Sequence, residues 1–207
     1  MASEERFSGG APRRGASVAG WLRGEGEPPR WLARFQPILA RLGCGDARIG
    51  AGMAAVLIAT ALVYCRSLGN EFFGDDLTEI ARNPGLGNWP FIWKSLFHDF
   101  RWYVDPRHLP QSASYRPLKN VWNALVFHLF GLHPAGYHAA MLALYLVVVW
   151  LVFRVACLLS GARMTGLLTA ALFALIPVHA ETVAWATDNE VLICAAFEFA
   201  AFEFYLR

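Results

Sequence analysis

Asp75 and Asp76 stand side by side in a polar stretch, and Tyr115-Arg116-Pro117-Leu118-Lys119 opens the apolar block that follows it. A carboxylate can take a proton from an attacking hydroxyl. An arginine or a lysine can hold a phosphate. Tyr115, His179, Glu181 and Asp188 are further side chains able to hold a substrate. Carboxylates and cations at the mouth of apolar segments indicate chemistry at a membrane surface on a lipid-carried substrate.

The elements that must position these groups are helical and membrane-bound. The chain has 207 residues, is 56% hydrophobic and only 16% charged. A soluble domain of this size needs more polar surface, which excludes a soluble helical bundle. Four segments are expected to cross a bilayer, which takes about 20 helical residues: 49–68, 137–160, 164–180 and 190–206. Residues 118–132 are apolar but short, so a juxtamembrane or re-entrant helix is expected there. The fold class is therefore all-α: a polytopic helical membrane protein of about four spans, with a juxtamembrane helix in a long first loop. That loop, 69–117, carries an Asn83-Pro84-Gly85 turn signal. Its aromatic run (Trp89, Phe91, Trp93, Phe97, Phe100, Trp102, Tyr103) suits chain lying at headgroup level.

Residues 1–48 hold eight arginines against five acids and are rich in Gly, Pro and Ala. A disordered cytoplasmic tail is expected, with no signal peptide. Within it Trp31, Leu32, Phe35, Ile38, Leu39 and Leu42 recur at helical spacing, which suits a short helix on the membrane surface. Arg154, Arg163 and Arg207 join this tail on the cytoplasmic side by the positive-inside rule. The loops 69–136 and 179–189 then share the exoplasmic side, with Asp75, Asp76, Arg116, His179, Glu181 and Asp188 all on one face. The Arg- and Ala-rich composition suggests a bacterial inner membrane. A net charge of +2 indicates no nucleic-acid partner.

Several of these residues have structural roles open to them. Asp76 with Glu79 three residues on forms a helix-capping pattern, and one aspartate can cap while the other projects. Arg116 can snorkel at a membrane edge. His179-Ala180-Glu181 lacks the Pro-Cys-x-x-Cys partner of a zinc deaminase, and His128, His133 and His138 are five apart, off a common helical face. No metal site is read. Cys44, Cys65, Cys157 and Cys194 are scattered and read as buried thiols. Glu198 and Glu203 lie inside an apolar segment, Glu203 within reach of Arg207 and Glu198 expected to face protein or water.

Transfer of a sugar from a polyprenyl phosphate would use the groups in the first loop. One carboxylate, Asp75 or Asp76, removes the acceptor's proton. The leaving group is already a phosphate, so the second carboxyl of glycoside hydrolysis is unnecessary. Arg116 and Lys119 would meet the charge building on that phosphate. The lipid needs an apolar groove.

An ordered series of motifs carries a resemblance over about residues 55–205. It runs Leu68-Gly69-Asn70-Glu71-Phe72-Phe73-Gly74-Asp75-Asp76, Asn83-Pro84, Tyr115-Arg116-Pro117-Leu118, Gly131-Leu132-His133-Pro134-Ala135-Gly136-Tyr137-His138, and Leu172-Phe173-Ala174-Leu175-Ile176-Pro177-Val178-His179-Ala180-Glu181-Thr182-Val183-Ala184-Trp185. This resembles the N-terminal part of multi-span GT-C glycosyltransferases, closest to the transmembrane, tetratricopeptide-repeat O-mannosyltransferase-like proteins and their bacterial relatives. The resemblance implies a polyprenyl-phosphate sugar as donor substrate, a protein or glycan acceptor, exoplasmic chemistry and a catalytic acid in the first loop, here Asp75 or Asp76. No other cofactor is implied, and nothing supports a divalent metal. Where the family commonly carries Gly-Arg before an acid and Leu, this chain reads Ala186-Thr187-Asp188-Asn189-Glu190-Val191-Leu192. It has no 34-residue repeats and stops at Arg207, so a longer protein, or further membrane subunits supplying the rest of the groove, is expected.

Besides a glycosyltransferase or its N-terminal part, two other classes stand. One is a non-catalytic membrane subunit or truncated pseudoenzyme binding a lipid or protein partner. The other is a transporter, motivated by Glu198 and Glu203, although no internal repeat supports it.

Overall fold

A computed structural model describes residues 47–104 and 114–207. The arginine-rich tail and its expected surface helix at 31–42 lie outside the described residues. Residues 51–207 form one compact unit, and every described element is helix, turn or loop. The helices are α1 (Ala47–Tyr64), α2 (Trp89–Ser95), α3 (Pro117–Phe130), α4 (Pro134–Ser160), α5 (Arg163–Leu175), α6 (Ala180–Ala184) and α7 (Asn189–Tyr205).

Proline and glycine set most helix boundaries. Proline sits in the first turn of α2, α3 and α4, where a missing N–H is harmless and φ is already helical. Gly131 and Gly161 end α3 and α4 with φ of 62° and 67°, a region costly for residues with a Cβ. Pro177 has a larger effect. It cannot donate to the carbonyl of Phe173, so α5 stops at Leu175 rather than near 180. The Tyr145 hydroxyl compensates, lying 3.2 Å from both the Phe173 and Ala174 carbonyl oxygens. The chain then bends by 52° into the segment holding α6.

Two described helical stretches, Ala47–Gly69 and Pro134–Ser160, are long and apolar enough to cross a membrane, and the bent pair Arg163–Leu175 with Pro177–Ala184 passes the same test only when its two parts are taken as one span. The protein is an integral membrane protein. The segment expected at 190–206 is helical, but its 17 residues reach about 26 Å, against about 30 Å of hydrocarbon. The segment expected at 118–132 is the 14-residue α3, about 21 Å long and too short to span.

Residue contacts give the directions. Tyr137 of α4 and Ala186 before α7 share one core cluster, while Arg154 of α4 meets Glu203 of α7 at 2.6 Å. These two helices therefore run parallel. Tyr64 packs edge-on against Tyr145 at 5.3 Å, and its hydroxyl lies 3.5 Å from the Ile176 carbonyl oxygen, so α1 and α5 finish at the same end. A Cβ on Gly166 of α5 would sit 2.9 Å from the Phe153 carbonyl oxygen and 2.3 Å from the Cys157 sulfur. Only glycine allows α4 and α5 to approach this closely.

The long loop is folded rather than laid flat at headgroup level. Ile80, Leu86 and Ile92 pack with Ala124, Val126 and Tyr137 in that cluster. Of its aromatic run, Phe100 and Trp102 are buried, and Phe91 stacks on Trp102 at 4.8 Å. Trp93 and Phe97 remain exposed, as headgroup contacts would be. Cys65 and Cys194 are exposed on their helices, not buried.

At the opposite end Glu203 is paired with both Arg154 and Arg207, and Arg154 also lies over the Trp150 ring. Glu198 is exposed on α7. Glu203→Leu strands the buried Arg154 charge and should cost about 3 kcal/mol. In detergent its thermal-unfolding midpoint should fall, and adding Arg154→Met should recover most of the loss. Equal midpoints for wild type and Glu203→Leu would show that the pair does not hold α4 to α7.

Candidate functional site

Asp75 lies in the turn just before a single turn of π-helix, Leu77–Ala81. Asp75 and Glu79 are four residues apart and so lie on one side of the turn. Gly74 enters it with φ of 56°, and an added Cβ there would rest 3.5 Å from the Trp185 ring. The expected capping box does not form. Asp76 has helical backbone angles and makes no side-chain cap.

Asp76 instead ties the loop to the start of α7. It is fully buried. One carboxylate oxygen accepts from the Thr187 backbone N–H at 3.0 Å, the other from Phe73 N–H at 3.4 Å. Burial raises its carboxyl above the ordinary range, opposed by these bonds and by His138. It does not line the polar chamber described next. Of the adjacent aspartates, Asp75 alone does.

The chamber has a volume of about 600 Å³ and lies between the loop, α3 and the start of α7. Among the described residues its charged lining is Asp75, Glu79, Asp188 and Glu190 against Arg101, Arg116 and Lys119. These groups form a chain of ion pairs. Arg101 bridges Asp75 at 2.9 Å and Glu79 at 2.7 Å. Lys119 bridges Glu79 and Glu190, both at 2.9 Å. Arg116 pairs with Glu190. Glu79 is 1% exposed and Lys119 4%. Burial pushes the Glu79 carboxyl up while Lys119 and Arg101 push it back, and the hydrogen bond to Glu79 chiefly lifts Arg101. Asp188 is also raised, first by burial, with a Thr182 hydrogen bond opposing.

Phe100 sits among the three cations. Arg101, Arg116 and Lys119 lie 5.0, 5.3 and 4.7 Å from its ring centroid, within cation–π range. Its backbone is held by Ser114 and Asn120. Asn189 donates to Asn123 at 2.7 Å and to the Ala186 carbonyl at 3.2 Å, fixing α7 against α3. An entirely apolar groove of about 310 Å³ is built on the same two helices as the chamber, α3 and α7. It is lined by Leu118, Val121, Trp122 and Leu125 of α3, Leu144 of α4, and Ile193, Ala196 and Phe197 of α7.

The chamber thus brings together Asp75, Arg116, Lys119 and Asp188 of the residues expected from sequence. Tyr115, His179 and Glu181 lie elsewhere. The Tyr115 hydroxyl donates to the Leu96 carbonyl, His179 packs on Phe173 and Tyr145, and Glu181 is exposed on α6. Three charged members were not singled out as site residues: Glu79, Arg101 and Glu190. The i, i+4 relation of Asp75 and Glu79 was the available signal for Glu79. Nothing in the local sequence ties Arg101 or Glu190 to Asp75.

Asp76 gives a pH-dependent test. Its raised value means the folded state binds that proton more tightly than the unfolded chain. The associated stability is complete below the ordinary 3.8 and is lost as pH rises through the raised value. Asp76→Asn should remove this contribution, so the stability gap between wild type and variant should change as pH rises above the ordinary 3.8. A constant gap would show that Asp76 titrates alike folded and unfolded. Asp76→Ala, which also removes both hydrogen-bond acceptors, should cost about 1–3 kcal/mol at any of these pH values.

No protein-family model matches the chain, and no solved structure matches it. Curated proteins do. It is 37% identical over 162 residues to human protein O-mannosyl-transferase TMTC1, covering 76% of this chain and 18% of that protein. Drosophila melanogaster Tmtc1 is 34% identical over 134 residues, covering 65% of this chain and 16% of that protein. Human TMTC4 is 29% identical over 170 residues, covering 74% and 23%. The chain spans less than a quarter of the length of these relatives. Over about three quarters of its length, then, this chain is a homologue of the protein O-mannosyl-transferases, matching one segment of them.

Proposed function

We propose that the chain is a membrane glycosyltransferase, or the segment of one that carries its catalytic loop. It transfers a sugar, mannose by the names of its relatives, from a polyprenyl-phosphate donor to a hydroxyl of a protein or glycan acceptor. The observation that carries this reading is a polar chamber and an apolar groove built on the same two helices, α3 and α7, with Asp75, Asp188 and three cations among the chamber's described lining. The basic tail and Arg154, Arg163 and Arg207 support a cytoplasmic N-terminus, with the chamber on the exoplasmic side.

Asp75 serves as the base. Its side chain is 53% exposed in the chamber, and Arg101 fixes its direction. It accepts the proton of the acceptor hydroxyl as that oxygen bonds to the anomeric carbon. The bond from that carbon to the phosphate oxygen breaks, and its electron pair leaves with the phosphate. Arg116 and Lys119 receive this charge. The prenyl chain lies along the α3–α7 groove, and Asp188 faces the sugar hydroxyls. Asp76 braces the loop to α7 rather than touching substrate.

The test is transfer by protein in nanodiscs supplied with a panel of polyprenyl-phosphate sugars and acceptor peptides. Asp75→Asn should lower kcat by about 100-fold or more with unchanged folding, and Asp76→Asn should lower it far less. Turnover by Asp75→Asn within a few-fold of wild type would eliminate Asp75 as the base. Absence of turnover by the wild type, together with tight lipid binding, would favour a non-catalytic lipid-binding segment.

A further inference from the structure

Glu190 occupies the position the preceding reading gives to the donor phosphate. Its two carboxylate oxygens are divided between two cations. Oε1 pairs with the Arg116 guanidinium and Oε2 with Lys119 Nζ at 2.9 Å. Two oxygens of a phosphate would engage the same pair in the same way. Glu190 stands in the first turn of α7, whose residues 190 and 191 line the chamber and whose residues 193, 196 and 197 line the groove. A lipid phosphate held by Arg116 and Lys119 must meet this carboxylate.

The contact can be released without unfolding the site. Lys119 is buried but keeps Glu79 on its other side at 2.9 Å. The Arg116 side chain is 42% exposed and can be solvated. Glu79 has no such freedom, since its side chain is 1% exposed and held between Lys119 and Arg101, whereas that of Glu190 is 23% exposed. The two glutamates of one ion-pair chain therefore have different roles, Glu79 as its buried anchor and Glu190 as its displaceable end.

We propose that Glu190 is an internal counter-ligand of the lipid-phosphate subsite, setting its affinity and its choice between donor and product. It holds Arg116 and Lys119 while no lipid phosphate is bound and yields to the phosphodiester of a lipid-linked sugar. It returns against the lipid monophosphate left after transfer. That product carries more charge than the donor, about −1.5 to −2 near neutral pH against −1. A pocket of three cations would otherwise retain it. A like-charged competitor lowers the affinity of both ligands, and of the more charged one most. The fraction of molecules whose Glu190 has moved aside scales both affinities alike, and repulsion from the displaced carboxylate, still at the chamber wall, separates the two ligands.

This inference rests on the proposed lipid-phosphate reading, and the experiment separates the two. Binding of a polyprenyl monophosphate, the uncharged polyprenol and a polyprenyl-phosphate sugar is measured on the chain in nanodiscs. Wild type is compared with Glu190→Gln, Glu190→Ala and Arg116→Gln, each checked for its thermal-unfolding midpoint. Both Glu190 variants should bind the monophosphate roughly tenfold tighter than wild type, gain less for the phosphodiester, and bind the polyprenol unchanged. A residue with a merely structural role would not produce a gain confined to phosphate ligands. If wild type prefers phosphate to alcohol and Arg116→Gln loses that preference, but neither Glu190 variant gains, the counter-ligand role is wrong and the subsite stands. If wild type binds phosphate and alcohol alike and Arg116→Gln changes nothing, the phosphate reading itself fails, and the role of Glu190 with it.

Discussion

The Glu79 carboxylate is the constraint on which the site depends. It is almost wholly removed from solvent, and an isolated charge in such a place is very unfavourable. It persists because Arg101, 22 residues further on, and Lys119, 40 residues further on, converge on it. Satisfying this one group draws the loop back over the start of α3. The same cations then reach outward to Asp75 and Glu190, so the buried anchor also organises the open chamber. Phe100 sets the spacing of the three cations through its ring face.

The remaining architecture holds the two sides of this chamber together. Asp76 accepts hydrogen bonds from both the loop and the segment before α7, and Asn123 receives Asn189 across the α3–α7 contact. At the far end the Arg154–Glu203 pair locks α4 to α7. Polar groups that would be costly alone in a membrane environment are matched at both ends. The surface between them is apolar enough for hydrocarbon.

A break in α5 makes room for the site. A straight helix through 180 would carry the chain past the chamber. Pro177 removes the hydrogen bond owed to Phe173, Tyr145 supplies a replacement donor, and the chain turns so that Trp185, Thr187 and Asp188 come under the loop. Proline at 177 is visible in the sequence, but the tyrosine that makes its break tolerable lies on another helix.

Sequence alone determined what local chemistry determines. Apolar composition made the protein helical and membrane-bound, and prolines at 117 and 134 with glycines at 131 and 161 bounded α3 and α4. Residue type marked Asp75, Arg116, Lys119 and Asp188 as groups able to do chemistry, together with Asp76, Tyr115, His179 and Glu181, which lie outside the chamber. Tertiary structure alone decided which aspartate faces the chamber. Adjacent residues on a helical turn point about 100° apart, and the pattern that suggested a cap for Asp76 is equally met by the hydrogen bonds it makes across the fold. It also decided that Arg101 and Glu190 belong to the site while His179 and Glu181 do not. Ion pairing acts through space over a few ångströms, and residues 75, 101, 116 and 190 come within that range only after the loop has closed on α3 and α7.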